Sequence, residues 1–324
     1  MNRKFDTRPR VLPAILLLFT AWPLLAQITP AKRLTEAFAL VKEGKPAPAV
    51  VELQALLDSN SLDALGSGKA WNILGLAYED MGEFAPSQHA YEESLRILQN
   101  LPDNIPAYAM ALDDFGALYV STGQFGVAEK LRTKALGLYE KIEDHEGIAR
   151  SSGDLAGIAF SQKNVARGSK YLERAVKEAR LATDLDDDDR VAIASLQGWK
   201  AQLDGDVAMS IMRYRQALDL SRKFHGEEHP FTGWNYLLLG VAHAEADQLT
   251  TALGEMRQGV AVLERTLSNQ NPRYLVAEIA YSRVLDATGS HAEAARIKSM
   301  AESRLKAVQQ RQCTGCTISA AAFH

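Results

Sequence analysis

The sequence predicts an all-α chain in which antiparallel helix pairs stack into a solenoid. Three observations lead there. Ala, Leu, Glu, Arg and Lys dominate the 324 residues, and strand-forming clusters are scarce. Apolar and small residues recur at helical spacing along most of the chain. A unit of about 42 residues repeats between residues 69 and 303. With 47% hydrophobic and 23% charged residues, the composition is globular, neither disordered nor collagen-like.

The first element is a targeting segment, residues 1–26. Arg3, Lys4, Arg8 and Arg10 precede the apolar run Val11–Leu25, and the small residue Ala26 marks the expected cleavage point. The run holds Pro13 and Pro23 and is shorter than the roughly 20 residues a spanning helix needs, so export and release is expected rather than anchoring. Cleavage would remove a net charge of +3 and take the chain from −4 to about −7. A mildly acidic protein without a Lys/Arg-rich block excludes nucleic acid as the expected partner. Residues 27–66 follow as a divergent helical cap. Within them, residues 31–57 look like an earlier copy of the repeat, centred on Ala37, with Gly44 in the turn and Leu56 where a small residue belongs.

The repeat region proper spans residues 67–305. Its copies centre on Gly75, Gly116, Ala156, Gly198, Gly240 and Ser282. Twelve residues after each centre stand Ser87, Ala128, Gly168, Ser210, Ala252 and Ala294. Nineteen after stand Ser94, Ala135, Ala175, Ala217, Gly259 and Ala301. If roughly a quarter of residues are Ala, Gly or Ser, an unbroken run of small residues in both columns is not chance. Each copy reads as a first helix carrying the stripe, a turn seven residues on, and a second helix whose small residues let the two backbones approach. Gly82, Gly123, Gly205 and Gly289 fill the turn slot. The copy on Ala156 has Lys163 there instead and reads as the loosest joint. One pair cannot bury its own face, so stacking must close the core. The last helix, from about His291 to Gln312, is long and polar, as a terminal cap should be. Residues 306–324 hold its end and a tail.

The stretch Trp71-Asn-Ile-Leu-Gly-Leu-Ala-Tyr78 resembles the first-helix signature W-x-x-L-G-x-x-Y of tetratricopeptide repeats, with Tyr91 in a second-helix slot. The period is longer than the usual 34 residues and is similar to the 42-residue variant of kinesin light chains. The turn Gly226-Glu-Glu-His229-Pro230 resembles the inter-repeat turn of that variant. Pro106, Pro230 and Pro272 each lie ten residues before a centre, which suits the first turn of a helix. Trp71 is thereby assigned to packing.

Three motifs hint at chemistry. His225-Gly-Glu-Glu228-His229 fits the string of inverted zinc peptidases, but those require both His on one helix, and Gly226 and Pro230 break that geometry. Asp184 and Asp186–Asp189 fail the EF-hand pattern, having Asp189 and Ser195 where Gly and Glu belong; a solvated turn whose last Asp caps the next helix is expected. Cys313 and Cys316 form a C-x-x-C pair without a βαβ frame or a following His, so a simple disulfide or idle thiols is favoured over redox work. No cofactor or metal is expected.

The resemblance implies that first helices line a concave wall whose exposed offsets are −6, −3, +1, +4 and +5. These give Lys69, Asn72, Glu79, Asp80, Asp113 and Ser121, with Asp114 and Asp154 beside them. Further along they give Trp199, Leu203, Trp234, Leu237, Val241, Ile279 and Arg283. The wall thus reads as acidic at one end and apolar-aromatic at the other. Trp199 and Trp234 read equally as interface anchors or as packing between repeats. The expected function is a non-enzymatic, periplasmic or secreted scaffold that binds a protein or peptide. The alternatives are an envelope redox accessory using the C-x-x-C pair, or a subunit of an outer-membrane or secretion assembly.

Overall fold

The computed structural model describes residues 29–312, with side chains to residue 308. The targeting segment and the Cys313–Cys316 pair lie outside the described residues. Within them the chain forms seven antiparallel helix pairs and no strand. The first pair is α1 (Pro30–Lys42) and α2 (Pro46–Asp58), followed by α3 (Ala64–Asp80) and α4 (Phe84–Leu98). Then come α5 (Ile105–Ser121) with α6 (Phe125–Lys141), and α7 (His145–Ser161) with α8 (Val165–Leu181). The last three pairs are α9 (Asp187–Leu203) with α10 (Val207–His225), α11 (Pro230–Glu245) with α12 (Leu249–Thr266), and α13 (Pro272–Ala287) with α14 (His291–Gln312).

The small-residue columns explain how each pair closes. All twelve residues at the two second-helix positions are buried, and so are the six centres. A Cβ on Gly75 would stand 2.7 Å from the Tyr91 ring, and one on Gly198 would stand 2.6 Å from that of Tyr214. A ring from the second helix therefore lies flat on the bare backbone of the first. Such contact is closed to any larger residue without displacement of the helix.

The turn slot shows the same economy of conformation. Gly82, Gly123, Gly205 and Gly289 are left-handed, at φ 76, 75, 77 and 89°. Lys163 and Asp247 hold the same slot at φ 60 and 58° in spite of their side chains. The turn geometry is thus kept in all copies, and two of them carry the cost of an L-residue there.

Trp71 is half-buried, edge-on to His89 with ring centroids 5.8 Å apart, at the margin of the core cluster that contains Ile73 and Leu74. It packs, but from the rim. In the acidic turn, Asp186 rather than the last Asp caps α9, accepting from the Asp188 backbone N–H at 2.8 Å. Asp189 instead lies buried one turn inside. The reason is an available partner: Arg150 on α7 reaches Asp189 at 3.0 Å.

Successive first helices pack on one another, α1 on α3 and so on to α11 on α13, which makes them the inner wall. Among successive helices, the junction of α8 with α9 is the sparsest. It is bridged by a small cluster built on Ala156, Phe160 and Leu172.

The superhelix winds tightly enough for distant repeats to meet. The turn between α1 and α2 touches the start of α11, where His229 Nε2 donates to the Lys42 carbonyl at 2.9 Å. The turn between α3 and α4 touches the start of α13, where Asn271 Nδ2 donates to the Asp80 carbonyl at 2.7 Å. The two contacts are copies of each other. Each donor is a helix N-cap followed by proline, and each acceptor lies two residues before a turn glycine. A Cβ on Gly44 would lie 3.3 Å from Pro230 Cδ, and one on Gly82 3.6 Å from Pro272 Cδ. Phe84, just past the second turn, joins the core cluster of α11–α14.

Candidate functional site

The inner wall of α3, α5 and α7 is held together by side chains that bridge one repeat to the next. Asn72 donates to Asp114 at 2.6 Å, Ser121 to Glu79 at 2.7 Å, and Ser151 to Asp113 at 2.7 Å. Arg132 pairs with Asp154, and Arg150 spans Glu146 and Asp189. Asn72–Asp114, Glu79–Ser121, Asp113–Ser151 and Arg150–Asp189 stand about one repeat apart because equivalent helix positions face each other across each repeat junction.

This corrects the expected exposure of five residues. Asn72, Glu79 and Asp113 are buried, at 6, 7 and 2% exposure. The −3 position points at the neighbouring first helix rather than into the groove, and Leu237 and Ile279 are buried in the same column. Glu79 sits under the Tyr91 hydroxyl, which donates to it at 3.4 Å. Asp80, Asp114, Asp154, Trp199 and Trp234 are half-buried, while Lys69 and Arg283 are exposed. Trp199 lies edge-on to Phe160 at 5.6 Å, and Trp234 packs against the core cluster of α11–α14. Both tryptophans therefore have packing partners in adjoining elements.

Burial controls the charge of this wall. It pushes the Glu79 carboxyl up to about 7, against the pull of Arg273 and the Ser121 hydroxyl. Asp113 also rises to about 7 through burial, with Arg132 and Ser151 opposing. One of its oxygens, Oδ1, has no hydrogen-bond partner among the described residues, which leaves the charged form under-solvated. Asp189 rises to about 6 by burial, with Arg150 holding it back. Asp114 is raised by burial too, although Asn72, Arg150, Arg132 and Lys42 favour its ionised form.

Arg132 is the residue that sequence reasoning missed. It occupies the second-helix slot that holds Tyr91, Tyr214 and Met256 elsewhere, sixteen residues after each centre. It is 5% exposed and crosses over Gly116 to reach the carboxylates. The available signal was a cation inside the stack in a column that is otherwise apolar until Lys298 of the last helix. Arg150, Lys42 and Arg273 were likewise unforeseen, because nothing local marks them, and Asp189 was expected only as a solvated helix cap.

Along α9, α11 and α13 the bridges are made by hydroxyl and amide groups with one carboxylate, Glu245. Ser195 donates to Asn235 at 2.9 Å, and Gln202 bonds Glu245. The buried residues of this wall are mostly apolar, among them Tyr236, Leu237, Val276, Ile279 and Tyr281. His225 ends α10 and His229 caps α11, their rings stacked at 4.5 Å. His225 Nε2 lies 3.1 Å from Asp188, and no group of three metal-ligating side chains gathers among the described residues. No helix among them is long and apolar enough to cross a membrane.

Residues 67–141 and 200–265 match the tetratricopeptide repeat family model. These two segments carry tetratricopeptide repeats. A Rap protein complexed with competence and sporulation factor shares the fold at TM-score 0.58 and 13% identity, over 87% of this chain and 78% of that one. The APC/C hetero-tetramer Cut9–Hcn1 aligns at TM-score 0.61 and 17% identity, over 86% of this chain and 48% of that one. A putative kinesin light chain of Podosopora anserina with nearly identical TPR-like repeats aligns at TM-score 0.43 and 22% identity, over 62% and 96%. Among curated proteins none matches the sequence. Tetratricopeptide solenoids in general are interaction scaffolds rather than enzymes, and this one belongs with that architecture.

Proposed function

We propose that this tetratricopeptide solenoid is an exported, non-enzymatic scaffold whose inner wall binds a protein or peptide partner with a basic segment next to an apolar one. The observation that supports this is the division of the wall. On α3–α7 the half-buried carboxylates Asp80, Asp114 and Asp154, backed by the buried Glu79 and Asp113, outnumber the guanidiniums of Arg132 and Arg150 that lie among them. On α9–α13 the columns that hold Asp113, Asp114 and Asp154 turn to Ser195, Leu196, Leu237, Leu238, Ile279 and Ala280, apolar or neutral throughout. A basic group would gain from the first surface, and an apolar one from the second. Export rests on residues 1–26, with delivery to a periplasm or the exterior; the mass of the mature protein after expression in its own envelope tests this reading.

The binding reading is tested by titrating the mature chain with labelled peptides. A peptide with arginines at one end and leucines at the other should bind, and its acidic counterpart should not. Trp199→Ala with Trp234→Ala should weaken the first by about tenfold if these rings carry the apolar end. Unchanged affinity would remove both tryptophans from the surface.

A further inference from the structure

The two contacts between distant repeats carry charge as well as hydrogen bonds. At the first, Lys42 Nζ reaches Asp186 at 3.1 Å and also pairs with Asp188, which His225 contacts from the other side. Burial works against the Lys42 cation, yet the two aspartates outweigh it and raise its pKa. Burial likewise opposes the Asp188 anion, while His225 and Lys42 hold it at about 2. At the second, Arg273 approaches Asp80 at 3.8 Å. Both contacts thus set a cation of this chain beside an aspartate.

The position of these cations is the point. Arg273 is the leading favourable charge acting on Glu79 and on Asp80, and Lys42 acts on Asp114. Each belongs to the closure between superhelical turns, and each also compensates carboxylates of the inner wall. The joint opposite them is the sparsest junction of the stack, between α8 and α9. Across the same repeat boundary Gly153 and Gly157 of α7 face Leu196 of α9, where a Cβ at either would meet Leu196 at ordinary contact distance.

We infer that Arg273 is an internal competitor for the inner wall and that Lys42 holds the same closure, so that the superhelix stays closed on itself until a basic ligand takes the place of Arg273. The inference rests on the basic-segment reading of the wall. In the closed form Arg273 lies beside Asp80, a carboxylate that a ligand's arginine or lysine would approach, while Lys42 pins the companion contact through Asp186 and Asp188. Opening at the α8–α9 joint separates the α1–α2 turn from α11 and the α3–α4 turn from α13 together, because the two contacts are equivalent and one repeat apart. Ligand affinity then carries the cost of opening, in proportion to how rarely the open form is populated.

The test compares Lys42→Met/Arg273→Met with Lys298→Met/Lys306→Met, a control with the same change in net charge at exposed sites of α14. The probe is the labelled arginine–leucine peptide. The closure variant should bind it about tenfold more tightly than wild type, with a larger radius of gyration in small-angle scattering, and the control should change neither. Equal peptide affinity and equal radius in wild type and closure variant overturn the inference while leaving the wall reading intact. Absence of peptide binding to every form sinks the wall reading instead, and scattering still decides the closure. If the closure variant does not fold, amide exchange on wild type replaces it. Residues 43–45, 80–83 and 270–273 should lose protection together when peptide saturates the chain, and unchanged protection overturns the inference.

Discussion

The two ends of the inner wall are made by the same repeat, yet they solve the junction between repeats differently. In the column three residues before each centre, Asn72 and Asp113 are succeeded by Gly153, Ser195, Leu237 and Ile279. The backbone and the buried small residues are shared, so the change from charged to apolar is carried by side chains alone. At the acidic end each junction needs a matched partner, and Arg132 leaves an apolar slot in the repeat to provide one. At the apolar end area burial suffices. A buried ionic junction gives little net stability over a hydrophobic one, and it is costly when broken from one side. The repeat tolerates it here, which is the behaviour expected where a surface is kept for recognition rather than for stability.

The strongest way to break this comparison is to remove the central cation. Arg132→Met restores an apolar residue to the column but strands Asp154 and Asp113. We expect a loss of about 3–5 kcal/mol in denaturant unfolding. A neutral or stabilised protein would mean that the acidic junction is apolar in all but name. Arg132→Met combined with Asp113→Asn and Asp154→Asn should recover most of the loss.

A smaller effect sharpens the comparison through pH. Glu79 and Asp113 bind protons more tightly folded than unfolded, so wild-type stability falls as pH rises from about 4 towards 7 and beyond. His229 acts in the opposite sense, since burial lowers its pKa, so the informative quantity is the difference between variant and wild type. Glu79→Gln/Asp113→Asn should be more stable than wild type at pH 8.5 by a few kcal/mol, with the gap closing towards pH 5. Thermal unfolding at both values measures it. A variant that loses stability equally at both would show that the carboxylates are held charged by their partners.

The smallest effect concerns the turns. Lys163→Gly removes the penalty of a left-handed L-residue and should stabilise by about 1 kcal/mol. No gain would mean that side-chain contacts of Lys163 offset the strain. Because this turn closes α7 on α8, next to the sparse junction, the result also bears on how firmly the middle of the stack is held.

Much of the fold was legible in the sequence because packing between paired helices is local and periodic. Ser87, Ala128 and Ser210 had to be small, and Gly82, Gly123 and Gly205 had to reverse the chain, whatever the partner. The same rules misread the wall. Calling the position of Asn72 exposed assumes that each first helix meets only its own pair, whereas it also meets the next first helix across a junction. Trp71 was placed in the core but lies at its rim, since its ring ends against His89 rather than under a neighbouring helix. The partners of Lys42 and Arg273 lay beyond reach, because the winding of the superhelix is a sum of small rotations that no single repeat encodes.

That winding also changes what kind of array this is. In an open array each unit interacts only with its neighbours, so the ends fray and the middle can persist without them. Here the turns of the first two repeats rest on the caps of the last two, joined by Lys42 with His229 and Asp80 with Asn271. Removing the first repeat would withdraw support from the sixth, and unfolding should be shared by both ends rather than creep inward from either. The chain has the connectivity of a line and the cooperativity of a loop.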